Sequence, residues 1–235
     1  MRIWDVDPGY LSRSRLLGEH RELHGVEAVI SGGKRGYAHH PETQRWRGCL
    51  PALAWRHRHL AAEMRLRGYV DRTPLETSGG EVLWPAGYLT PPADQFALLR
   101  AKYAEREEGR IPLPTSTQEL WAQHKYSVMA RDPERYRRIG HEVSGLRADA
   151  GFGALARELV DLLRTAPPEG RTANAVDHMW GYVADAASEE ERAVAGELLR
   201  ERIGVVQRLA VRTGSRYLLH STALGELAAY CEPAA

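Results

Sequence analysis

Met1-Arg2 opens the chain, and the charged cluster Glu19-His20-Arg21-Glu22-Leu23 follows within a helical pattern. Aminopeptidases that trim the initiator Met want a small second residue, so with Arg2 in that place Met1 is expected to stay. The chain then presents a fixed α-amine just ahead of a strand or turn. An α-amine titrates near roughly 7.7–8.0, so part of it is neutral and nucleophilic at neutral pH. Amines form Schiff bases with carbonyl carbons, and a nearby carboxylate supplies the acid and base steps that this chemistry needs.

Those residues have to be positioned by helices. Leu16, Leu17, His20, Leu23, Glu27 and Ile30 recur at near-helical spacing, which predicts a helix over 12–31 ended by Ser31-Gly32-Gly33. A basic, aromatic connection spans 34–48, and Pro51 and Gly68 bracket a second helix over 51–67. Residues 71–95 read as an irregular Pro- and Gly-rich loop, 93–108 as helix, and 109–116 as a proline-stiffened linker. From 117 onward the pattern is helical: about 117–131, 133–148, 152–165, 172–186, 188–213 and 215–230. Strand signals are nearly absent. The expected fold is all-α, with two helical domains at 1–113 and 114–235.

The 235 residues have ordinary globular composition and a formal net charge of +1. The charge is uneven: residues 1–70 hold 12 Lys and Arg against 7 Asp and Glu. Arg outnumbers Lys there 11 to 1, which suits bidentate contact with phosphate. No run approaches the roughly 20 apolar residues of a membrane helix, and the polar start is unlike a secretory signal. Cys49 and Cys231 lie far apart and fit a reducing compartment, so a cytoplasmic location is expected. Oligomeric state is not legible.

The opening segment resembles the pyrimidine-dimer DNA glycosylases of the phage endonuclease V type, over about residues 1–70. In that family the N-terminal amine is the nucleophile, and a Glu within Glu-Tyr-Arg-Glu-Leu is the essential carboxylate. The resemblance implies Met1 and Glu22 as catalytic residues, Arg2 and Arg21 on phosphates and lesion, and damaged double-stranded DNA as partner. His20 replaces the family's Tyr in that segment and is expected among the nucleic-acid-binding residues, and Met1 stands where the prototype exposes a processed Thr. Gly33-Lys34-Arg35 resembles a second basic stretch; Lys34, Arg35, Arg45 and Arg47 extend the surface, and Trp46 is a candidate wedge between bases. The implied reaction needs no metal or organic cofactor. His20 and His24 have the i, i+4 spacing of a metal pair, but no further ligand stands at matching spacing, so no metal is expected.

Residues 115–228 resemble the YbgA-like domain of unknown function, through Trp121-Ala122-Gln123-His124-Lys125-Tyr126, Arg171 to Tyr182, and Tyr217-Leu218-Leu219-His220-Ser221. Should its helices pack together, His124, Lys125, Asn174 and His178 line one pocket suited to phosphate or a nucleotide. Two alternatives to the glycosylase stay open here. One is a non-catalytic nucleic-acid-binding protein. The other is an enzyme acting on RNA or a nucleotide through the C-terminal domain.

Overall fold

The computed structural model describes residues 1–33, 35–75, 80–104, 107–147 and 150–231, and among these no strand occurs. The all-α expectation holds. The chain divides into two compact units, Met1–Gly109 and a second one from Arg110 onward.

In the first unit an extended segment leads into a short 3-10 turn, Pro8–Tyr10, capped by the Asp7 carboxylate, which accepts from Gly9 N at 2.7 Å. Four helices follow: α1 (Arg13–Gly32), α2 (Pro41–Arg45), α3 (Leu50–Leu66) and α4 (Pro92–Tyr103). Gly33 ends α1 at φ 62°, a left-handed conformation open to glycine at little cost. Leu16, Leu23 and Val26 of α1 and Leu53 and Leu60 of α3 are fully buried. Phe96 of α4 meets Tyr10 edge-on at 4.9 Å. Tyr103 of α4 accepts from Ser12 N at 2.8 Å and donates to Tyr10 O at 3.1 Å. Arg67, just past α3, donates to Glu63 and to the carbonyls of Leu11 and Gly9, and so ties α3 to the 3-10 turn.

The packed faces of α1 and α3 are polar as well as apolar. Glu19 and His20 are buried on α1, and Arg56, His57, His59 and Glu63 on α3. Buried polar groups are tolerated when they are paired with one another.

The second unit comprises α5 (Thr117–Met129), α6 (Pro133–Ser144), α7 (Phe152–Leu163), α8 (Glu169–Trp180), α9 (Glu189–Glu197), α10 (Leu199–Thr213), α11 (Arg216–Leu219), α12 (Ala223–Glu226) and α13 (Ala228–Cys231). Helix α5 packs against α6, α7, α8 and α12, and α10 against α8, α9 and α13. Two expected helices break. The stretch 188–213 divides at Leu198, whose backbone is extended (φ −130°, ψ 149°). The stretch 215–230 becomes three short helices because Thr222 is drawn onto α5. Its N–H donates to Gln123 O at 2.9 Å, and its hydroxyl bonds Ser127 at 2.9 Å. A buried pair, Arg131 with Glu226, holds α12 beneath α5.

Candidate active site at the amino terminus

Residues 1–7 run along α1 in the opposite direction. Extended backbone places the N–H groups of alternate residues on one side. Those of Arg2 and Trp4 meet Glu22 and Glu19, which lie three residues apart on one helix face. Trp4 N–H donates to Glu19 Oε1 at 3.2 Å, and Arg2 N–H donates to Glu22 Oε2. This register brings the Met1 ammonium to 3.8 Å from Glu22 Oε1. That is an ion-pair separation rather than a hydrogen bond.

The two carboxylates differ in exposure. Glu22 is 40% exposed in its side chain, whereas Glu19 is sealed from solvent and held in a bidentate grip by Arg56 at 2.7 and 3.0 Å. Burial raises the Glu19 carboxyl; Arg56 and the Trp4 N–H oppose that, and the Arg56 guanidinium is in turn held charged by Glu19. Arg56 also donates to Val6 O at 3.0 Å. Asp5 is fixed twice over, by Arg45 at 2.7 Å and by Gln95 of α4, which accepts from Asp5 N and donates to its carboxylate, both at 2.8 Å. Glu19, Arg56, Asp5 and Gln95 were not singled out in the sequence. The i, i+3 spacing of Glu19 and Glu22 was the available signal; their partners come from distant positions.

Arg2 is half-buried. Its guanidinium lies over the Trp4 ring at 5.0 Å and donates to Thr90 Oγ1 at 3.2 Å. Arg21, Arg35 and Arg47 are exposed, and Arg21 donates to Leu17 O of its own helix at 3.2 Å. Lys34 lies outside the described residues. Arg45 is committed to Asp5 and Glu42. Trp46 is 1% exposed, donates to Glu42 Oε1 at 3.1 Å and meets Trp84 edge-on, so it has no free face for a base. The exposed aromatic of the basic connection is instead Tyr37, 71% exposed and at φ 58°.

His20 faces inward. Its Nε2 lies 3.2 Å from Asp71 Oδ1 and 3.1 Å from His57 Nε2. The third histidine that sequence spacing did not offer to His20 and His24 is thus supplied by α3.

In the second unit the four expected pocket residues do not converge. His124 is buried and bonds Leu120 O one turn back at 2.8 Å, while Asn174 and His178 are exposed. Lys125 instead sits over the rings of Tyr126 and Tyr217. A cavity of about 580 Å³ is lined by Pro112, Glu119, Gln123, Arg216, Tyr217 and His220 among others. A second, of about 440 Å³, lies between Glu169, Thr172, Leu199, Arg200 and Tyr230. No helix among the described residues is long and apolar enough to cross a membrane.

In the first unit an α-amine is thus seated beside a half-exposed helix carboxylate. Residues 1–77 match the family described as pyrimidine dimer DNA glycosylase. Residues 125–224 match a family described as protein of unknown function, DUF1722. No curated protein and no solved structure matches the chain.

Proposed function

We propose that the protein is a DNA glycosylase with abasic-site lyase activity, acting on UV-type damaged pyrimidines in duplex DNA. The observation that carries this is the Met1 amine beside Glu22 on a segment anchored at Arg2, Trp4, Asp5 and Val6. A dimer weakens stacking, which lowers the cost of extruding its nucleotides. The neutral Met1 amine attacks C1′ of the 5′ nucleotide of the dimer, and the bond from C1′ to the base breaks with its electron pair leaving on the base. Glu22 stabilises the positive sugar and takes the proton lost from the attacking nitrogen. Opening of the sugar ring, with a proton delivered to its oxygen, leaves a Schiff base between Met1 and C1′. Loss of a C2′ proton then expels the 3′ phosphate and cuts the strand.

Arg2, Arg21, Arg35 and Arg47 serve the phosphates, contacts that set register without reading sequence. Tyr37 takes the stacking role, because it is the exposed ring of the basic connection and is held in a left-handed backbone conformation that costs of order 1–3 kcal/mol. The test is strand cleavage of a dimer-containing duplex by the full chain with and without a Gly-Ser extension ahead of Met1. Cleavage abolished by the extension supports an amine mechanism. Undiminished cleavage with the extension intact excludes it.

A further inference from the structure

Beneath the amine site, α1 and α3 bring three imidazoles to one point. His20 and His24 stand one turn apart on α1, His57 faces them from α3, and a ligand nitrogen of each lies within 4.8 Å of the others. Asp71, in the segment after α3, closes the group with Oδ1 at 3.2 Å from His20 Nε2 and Oδ2 at 3.5 Å from His57 Nε2. We propose that His20, His24, His57 and Asp71 form a structural site for a four-coordinate divalent metal ion of the Zn²⁺ class. The proposal is independent of the glycosylase reading.

The distances carry the argument. Zn–N bonds of about 2.0–2.1 Å at tetrahedral angles place neighbouring ligand atoms about 3.3–3.4 Å apart. The Nε2 atoms of His20 and His57 are 3.1 Å apart, and each is 3.2–3.5 Å from an Asp71 oxygen. Two edges of the tetrahedron, His57 Nε2 to His20 Nε2 and His20 Nε2 to Asp71 Oδ1, therefore exist before any ion is added, with the second Asp71 oxygen turned to His57. His24 supplies the fourth corner by turning inward from its contact with Thr73 Oγ1, at 3.1 Å. It is the half-exposed member of the trio, which gives an ion a way in.

Thr73 orients the Asp71 corner, since its N–H donates to Asp71 at 2.9 Å. Such supporting contacts accompany metal ligands generally. Two imidazoles meeting through the same kind of nitrogen at 3.1 Å can share only one proton between them, and a metal ion satisfies both. Imidazole with one carboxylate suits a borderline ion such as Zn²⁺. Four protein ligands leave no open position, so the ion's work is to clip α1 to α3 and to the segment after it.

The test uses the full chain, stripped with a chelator and titrated with Zn²⁺ by calorimetry, with Co²⁺ as a spectroscopic substitute. The expected result is one ion per chain, a raised melting temperature, and the intense visible bands of four-coordinate Co²⁺. His57→Ala lowers Zn²⁺ affinity on the order of 100-fold or more, beyond the 10–100-fold carried by supporting contacts. His24→Ala, at the half-exposed corner, gives a loss in the same direction without opening the core. His39→Ala, outside the cluster, leaves binding unchanged. Absence of stoichiometric Zn²⁺ binding would overturn the proposal. So would full affinity retained in both His57→Ala and His24→Ala, or only the weak bands of six-coordinate Co²⁺.

Discussion

Glu19 and Glu22 show how one helix assigns two carboxylates to different tasks by exposure. Glu19 is buried on Arg56 and serves as an anchor for Trp4; Glu22 is open enough to meet a substrate. Glu22→Gln keeps an acceptor for the Arg2 N–H but cannot take a proton. Strand cleavage is expected to fall by about 10²–10⁴-fold, the usual worth of a positioned acid–base group, with binding of a dimer duplex retained. Cleavage assays alongside fluorescence anisotropy check both halves of that statement. Arg56→Leu leaves Glu19 buried without its partner. A destabilisation of about 3–5 kcal/mol is expected from urea unfolding, together with slower cleavage as the N-terminal segment loosens. Tyr37→Ala should weaken binding to a dimer duplex by about 1–3 kcal/mol, the range for one stacked base, while leaving the melting temperature unchanged.

At the scale of elements, the boundaries of α1, α3 and α5 were legible because apolar residues recur at helical spacing and Gly or Pro marks the ends. The partnership between α1 and α3 was not. Their shared face carries Glu19, His20, Arg56 and His57, and a periodicity built on apolar residues is blind to polar groups buried in pairs. The nearness of Met1 to Glu22 follows the order of a family motif, whereas the partners of Glu19, Arg56 and Asp71 emerge only in three dimensions. The 215–230 stretch failed because tertiary hydrogen bonds from Thr222 to α5 override local helix preference. Helix α5 also carries a pH dependence. Burial pushes His124 down to about 4, from 6.5 for a free imidazole. The folded state thus refuses a proton that the unfolded chain accepts below about 6.5. Stability from this group is complete above that pH and is lost as pH falls toward 4, by on the order of 3 kcal/mol at one pKa unit per 1.36 kcal/mol. His124→Asn retains a donor for Leu120 O and should flatten the dependence. Denaturant unfolding from pH 7.5 to 4.5, followed by hydrogen exchange in α5, reads it directly.

Across the whole molecule, a first unit whose residues 1–77 match a DNA-repair family and which holds the basic excess is joined in one chain to a second unit of undefined chemistry. Several buried polar residues of the second unit are spent on its own packing: Arg131 on Glu226, His124 on its own helix, Thr222 on Gln123 and Ser127. The amine-bearing site lies in the first unit alone. The most direct measurement of its chemistry is borohydride trapping of the full chain on duplex DNA carrying a pyrimidine dimer or an abasic site, followed by mass mapping of the adduct. Reduction converts a Schiff base to a stable amine. An adduct on the Met1 α-nitrogen is expected, with turnover lost in Glu22→Gln. No adduct on either substrate from protein with a verified free Met1, or an adduct confined to a lysine side chain, would contradict the amine mechanism.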